Sequence, residues 1–281
     1  MSSSNPLEIM ARLGYGARGV VYCLVGGLAV LAAIGSGGQT GGSRSALRTL
    51  LDQPFGDLII IAIALGLAFF AAWRLIEPVT DADHRGSSGK ALATRGAHFL
   101  SGLVYAGLAL SALRLALGRP DSGGDDQSAR DWTAWLLEKP FGQWLVGIVG
   151  LAIIGAGIAF LLKGWRGNVT EKLHCDQQTS RWAIPVGRMG FMARGVVFVL
   201  IGGFLVVAAW YSSSQEAIGL GGALAKLGSQ PYGQVLLGIT AAGLLAFGVF
   251  GLVQARFRRI DAPDLDDAKN AVADTVQAIR H

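Results

Sequence analysis

The sequence predicts an all-α polytopic membrane protein: six transmembrane helices built as three parallel two-helix repeats with pseudo-threefold symmetry. Three observations carry that prediction. The chain of 281 residues is 52% hydrophobic and only 15% charged, against about 25% charged in soluble domains. Six apolar stretches, Gly19–Ile34, Leu58–Ile76, Ala97–Leu117, Trp144–Leu162, Val196–Tyr211 and Val235–Val253, stand clear of the rest. Finally, RLGYGARGVVYCLVGG at 12–27 returns as RMGFMARGVVFVLIGG at 188–203.

Each apolar stretch approaches the ~20 residues that cross a ~30 Å hydrocarbon core as a helix, and a helix satisfies its own backbone groups in lipid. The first and fifth stretches are short. They reach full length if the preceding GYGA and GFMA turns are helical and lie at the interface. The first stretch also has the look of a cleavable leader, with Arg12 and Arg18 before an oily run. Its copy at 188 argues for retention, because a removed leader has no reason to resemble an internal segment.

A third, weaker copy is RGAHFLSGLVYAGLAL at 95–110, which aligns Arg12, Arg95 and Arg188, then Gly19, Gly102 and Gly195, then Tyr22, Tyr105 and Phe198. A second marker follows each copy: DQPFG, EKPFG and SQPYG, with spacings of 42, 45 and 43 residues from first arginine to proline. Paired markers at near-constant spacing define a triplicated unit.

In chain order the organisation is an N-terminal segment 1–11, repeat one 12–83, repeat two 95–167, repeat three 188–259 and a tail 260–281. Each repeat reads as helix, polar loop, short amphipathic piece, proline turn and helix. The amphipathic pieces are SALRTLLDQ, DWTAWLLEK and GALAKLGSQ. Pro54, Pro140 and Pro231 are expected to open the second helix of each hairpin, where a missing N–H costs nothing. In the tail, Val272, Val276 and Ile279 recur at helical spacing and predict a short amphipathic helix.

Seventeen Lys and Arg fall on the side holding both termini and seven on the other, which predicts cytoplasmic termini. Two helices per unit make all three repeats enter in the same sense, related by an axis along the membrane normal. The net charge of +5 does not signal nucleic acid, because the basic residues flank apolar runs and form no soluble patch.

The threefold R-x-G-x-x-A-R-G-V-V-Y and L-x-x-P-F-G patterns over six helices resemble a bacterial membrane family catalogued as domain-of-unknown-function family 1206. The resemblance spans about Arg12 to Arg256. It implies this fold in a bacterial membrane, and it implies no reaction, substrate or cofactor; the expected location is the inner membrane. The middle copy departs from it with Ser101 where its neighbours carry Arg18 and Arg194.

Candidate sites follow from spacing. Arg18 shares a helix face with Tyr15 and Tyr22, and Arg194 shares one with Phe191 and Phe198. A guanidinium between rings suggests a grip on an anionic lipid headgroup at the interface; snorkelling among belt aromatics is the plain alternative. Gly19 and Gly26, matched by Gly195 and Gly202 and joined by Gly102, are read as helix-packing positions. No Asp, Glu or Lys lies centrally in the six stretches, which argues against an ion-coupled transporter.

Asp81, Asp83 and His84, and Asp121, Asp125 and Asp126, have no recognised ligand spacing and are expected to be solvated loops. Cys23 and Cys175 imply no disulfide. No nucleophile stands beside a credible base, so the expectation is a non-enzymatic accessory or lipid-interacting scaffold without cofactor. Its expected partners are the lipid bilayer, anionic lipids and a membrane protein partner, with no nucleic acid. The rival reading is a passive channel or carrier for a small solute along the pseudo-threefold axis.

Overall fold

The computed structural model describes residues 6–79, 88–119, 123–167, 169, 173 and 177–258. The aspartates and histidine of the 81–84 loop, Asp121, Cys175 and the tail beyond 258 lie outside the described residues. The helices are α1 (Pro6–Ala33), α2 (Ser43–Arg48), α3 (Gly56–Val79), α4 (Gly89–Ala116), α5 (Asp125–Leu137), α6 (Gly142–Arg166), α7 (Gln177–Trp210), α8 (Leu220–Gly228) and α9 (Gly233–Phe257). Six of them, α1, α3, α4, α6, α7 and α9, are long and apolar enough to cross a membrane. The three short helices α2, α5 and α8 stand where the amphipathic pieces were read, one in each repeat.

The GYGA and GFMA turns are helical, as expected, but the helices start earlier than the arginine markers. Fifteen residues separate Arg18 from the far end of α1 at Ala33, about 22 Å of helix. A ~30 Å slab that begins at that end therefore contains Arg18. The arginine sits inside the bundle and not at its rim.

The long helices pack in the order α6–α7–α9–α1–α3–α4. The most extensive pairs join neighbouring repeats: α9 with α1, α3 with α4, and α6 with α7. Small residues set these approaches. A Cβ on Gly19 would lie 2.9 Å from the Gly248 carbonyl oxygen, and one on Gly26 would overlap the Leu245 backbone. A Cβ on Gly195 or Gly202 would lie 2.8 or 2.6 Å from the carbonyl oxygen of Gly157 or Gly150, and one on Gly102 2.8 Å from the Leu75 side chain. Without a hydrophobic drive between helices in lipid, such backbone proximity supplies the dispersion contact. Within repeats, α1 packs on α3 and α7 on α9, whereas α4 and α6 are not a packed pair. The threefold ring has one open seam.

The proline turns differ from the expected helix start. Each second helix begins two residues later, at Gly56, Gly142 and Gly233. The residue between, Phe55, Phe141 or Tyr232, is left-handed, with φ of 62°, 60° and 62°. A Cβ on each following glycine would overlap the carbonyl oxygen of Leu50, Leu136 or Gly228 at the end of the preceding surface helix. Pro-aromatic-Gly is thus one reversal with three parts, and the aromatic accepts a strained backbone worth roughly 1–2 kcal/mol. Its ring is left 78%, 80% and 86% exposed in the three turns, the placement of an interfacial aromatic belt.

At the same end, Asp125 and Asp126 tie the repeats together, so the solvated-loop expectation fails for them. Asp126 Oδ1 accepts from the Gly219 and Gly222 amides at 2.6 and 2.9 Å, capping α8 of repeat three. The Asp125 carboxylate faces the Ser43 and Arg44 amides of α2 and stands 3.9 Å from Arg44 Nε, while Arg44 also donates to Ser128. Two adjacent aspartates of repeat two cap helices of repeats one and three.

Burial raises the Asp125 carboxyl above its ordinary value of 3.8, opposed by Arg44 and those amides. A raised folded value means that the fold binds the extra proton. Asp125 therefore adds stability as pH falls through that value and removes it as pH rises. Melting curves at neutral pH and near the ordinary carboxyl value of 3.8 should show a smaller loss, or a larger gain, on acidification for the native chain than for Asp125→Asn. Equal changes would contradict the assignment.

Candidate functional site

The repeated arginines divide into two roles. The first of each pair closes a neighbouring helix: Arg12 Nη1 donates to the carbonyls of Ala255 and Arg256 at 3.1 and 2.6 Å. Arg188 does the same for α6, from Nε to Gly164 and Nη2 to Trp165, both at 3.1 Å. A cation at a helix C-terminus satisfies orphan carbonyls and opposes the negative end of the dipole. Each arginine thereby clips its repeat to the preceding one in the ring. Glu8 steadies Arg12 with a 2.8 Å hydrogen bond.

The second of each pair points inward. Arg18 is 4% exposed, and its Cζ lies 5.1 Å from the Tyr15 ring, 5.0 Å from Phe70 and 5.1 Å from Phe247. Arg194 is half-buried, 5.3 Å from Tyr22, 4.9 Å from Phe160, 5.0 Å from Phe198 and 4.8 Å from Phe247. The two cations share the Phe247 ring. The expected boxes are therefore corrected in composition. Tyr22 serves Arg194 and not Arg18, and Phe191 receives Lys163 at 4.5 Å. Phe70, Phe160 and Phe247, half of the enclosing rings, come from α3, α6 and α9, because a helix face offers few rings to its own arginine while neighbouring helices converge on it.

Hydrogen bonding leaves both guanidiniums underused. Arg18 Nη2 donates to Gln254 Oε1 at 2.7 Å, and the buried Nε of Arg18 and of Arg194 has no partner. Neither arginine faces a carboxylate among the described residues. Cation–π contacts contribute about 0.5–2 kcal/mol each, which offsets only part of the cost of holding a cation away from water.

The acid in this region lies one residue beyond the second apolar stretch and was not among the candidate residues. Glu77, at the end of α3, is 3% exposed. Its Oε2 takes Arg74 Nη1 at 3.0 Å and His98 Nδ1 at 3.2 Å. Its Oε1 lies 3.6 Å from Arg258 Nη2, a charge contact longer than a hydrogen bond. Glu77 is thus committed to other partners. One signal for these residues was available. Counted from Gly56, Gly142 and Gly233, Glu77, Lys163 and Gln254 occupy the same position of the three second helices. At this register of three apolar helices Glu77 and Gln254 are buried, whereas Lys163 is exposed and places its ammonium over the Phe191 ring.

The centre around these groups is filled. Tyr15, Phe70, Phe247 and Phe250 are fully buried, and edge-to-face pairs link Tyr15 to Phe70 at 5.2 Å, Phe70 to Tyr105 at 4.7 Å and Tyr22 to Phe247 at 4.9 Å. The arrangement is a cationic cluster walled by aromatic rings, and its guanidiniums have the planar chemistry that takes an anion. No group of three or more His, Cys, Asp or Glu side chains stands together as a metal site among the described residues.

The family model described as Domain of Unknown Function (DUF1206) matches three segments, residues 13–81, 97–167 and 189–258. A protein of Bacillus subtilis (strain 168) named "Uncharacterized protein YxxB" is 34% identical over 257 residues, which is 90% of this chain and 92% of that protein. No solved structure matches the chain. The three matched segments coincide with the three hairpins that place Arg12, Arg18, Arg188 and Arg194, and the chain belongs to the DUF1206 family.

Proposed function

We propose that this multi-pass membrane protein is a non-enzymatic, lipid-interacting scaffold of a bacterial inner membrane, with both termini cytoplasmic. In this reading Arg18 and Arg194 hold the phosphate of an acidic lipid headgroup inside the bundle. The observation that carries it is the pair of inward guanidiniums without a facing carboxylate, each with a buried unpartnered Nε. A bound phosphate supplies the missing charge and accepts in the planar, two-pronged geometry that arginine offers.

The excess of Lys and Arg on the side of the termini supports the orientation, and the Bacillus subtilis relative suits a bacterial membrane. The ring-filled centre favours a scaffold over a solute path along the axis, since Phe70, Phe247 and Phe250 occupy the space a pore needs.

Lysine keeps the charge of arginine but lacks the planar fork. The Arg18→Lys, Arg194→Lys double variant, purified from native membrane, is expected to lose most of its co-purifying acidic lipid in native mass spectra while still inserting. Undiminished acidic-lipid adducts would overturn the reading.

A further inference from the structure

The open seam between α4 and α6 is written into the sequence of the middle repeat. In repeat one, the hairpin crosses where Gly14 and Ala17 of α1 meet Phe70 and Gly66 of α3: a Cβ on Gly14 would lie 2.6 Å from Phe70 Cα, and one on Gly66 would overlap Ala17. Repeat three repeats the crossing with Gly190 and Ala193 against Phe247 and Gly243, with 2.6 Å from a Gly190 Cβ to Phe247 Cα. In the same register repeat two carries Ala97 and Leu100 on α4, and Ala156 and Ala152 on α6.

Every one of those changes acts against closure. Two glycines become alanines, a contact alanine becomes leucine, and the phenylalanine that fills the centre becomes alanine. Gly66 and Gly243 are buried, while Ala97, Leu100 and Ala152 are exposed. The most apolar window of α6 is 17% buried, against 44% for α3 and 50% for α9, so α6 is the least covered of the second helices.

Both walls of this seam lead to the arginines. On α4, Tyr105 packs edge-on to Phe70, a ring of the Arg18 site, and bonds to Tyr22, a ring of the Arg194 site. On α6, Phe160 is itself a ring of the Arg194 site. At the seam the arginine position is Ser101, so α4 sets no arginine at that register. Elsewhere in the ring the equivalent passages are shut by glycine-mediated crossings.

We propose that the α4–α6 seam is a lateral doorway through which an anionic phospholipid enters the bundle, its phosphate resting on Arg18 and Arg194 and an acyl chain lying between α4 and α6. This rests on the headgroup-binding reading above and adds the route and the ligand class. Charge complementarity selects the occupant: the Arg18–Arg194 cluster behind the seam is cationic, whereas Leu100, Leu103, Val104, Ile148, Leu151 and Ile158 present exposed apolar surface along the two helices. A phosphate with an attached hydrocarbon chain meets both requirements, and a free anion meets one.

The test restores the missing ring. Ala156→Phe puts back the side chain that repeats one and three carry and leaves both arginines in place. The variant and the native chain are reconstituted in nanodiscs holding equal phosphatidylglycerol and phosphatidylcholine, then scored for retained phosphatidylglycerol by native mass spectrometry. The expected result is roughly a tenfold loss of retention, equivalent to about 1.4 kcal/mol. Ala97→Gly with Leu100→Ala and Ala152→Gly, which restores the small residues of the closed crossing, should give the same loss if Ala156→Phe fails to fold.

Full retention in both seam variants, with loss in the arginine double variant, would overturn the doorway while leaving the headgroup site standing. Retention in all of the variants would overturn both. Inorganic phosphate raising the melting temperature of native and Ala156→Phe proteins alike, with phosphatidylglycerol adding nothing, identifies a free-anion site and sinks the lipid proposal. A second protein seated in the seam in place of lipid does so too.

Discussion

Replacing Glu77 by glutamine should destabilise the protein by about 3–5 kcal/mol, the usual consequence of removing one partner from a buried charge cluster. Glu77 is the carboxylate shared by Arg74, His98 and Arg258. Its loss leaves the Arg74 and Arg258 guanidiniums without their shared carboxylate, in a region that already holds Arg18 and Arg194. Glutamine keeps the shape and one acceptor, so the effect measured is chiefly that of charge. Thermal unfolding in detergent, followed by fluorescence-detected size exclusion, reads it out. A second substitution, His98→Leu, should cost much less in the Glu77→Gln background than alone, since their coupling has already been broken. A melting temperature unchanged by Glu77→Gln would show that the cluster is solvated and that the charge balance described above is wrong.

Gly26→Leu is the second large effect. A Cβ there would overlap the Leu245 backbone and lie 2.9 Å from the Ala241 carbonyl oxygen, so there is no flexible side chain to yield. Overpacking costs about 1–3 kcal/mol where side chains can adjust, and backbone against backbone should lie at or above the top of that range. Its neighbour supplies the control. Gly27 has open space around an added Cβ, and Gly27→Ala should be neutral or stabilising by up to ~1 kcal/mol through helix propensity. Equal melting shifts for the two substitutions would remove the close α1–α9 crossing from the account.

Much of this architecture was legible along the chain because repetition exposes it. The arginine pairs, the Pro-aromatic-Gly turns and the glycines at two-turn spacing are each short-range devices. A helix cap needs a cation at one register, a reversal needs three consecutive residues, and a close crossing needs a missing side chain. Such requirements are met locally, so they recur wherever the unit recurs. The polar register of Glu77, Lys163 and Gln254 belongs to the same class, and aligning the second helices by their glycines reveals it.

The company that Arg18 and Arg194 keep is a different matter. Helical spacing puts Tyr22 on the face of Arg18, yet in the fold Tyr22 serves Arg194, and Phe70, Phe160 and Phe247 arrive from other helices. The sequence by itself determined six spans, three parallel hairpins and the residues that let them approach, because those follow from hydrophobic length, charge placement and side-chain size. Only the tertiary structure decided that the arginines lie inside the bundle, that Asp125 and Asp126 cap helices of two other repeats, and that one of three equivalent seams stays open. Each of these depends on which helices become neighbours, and the order of packing around a ring is a long-range outcome of many small contact energies that no single segment encodes.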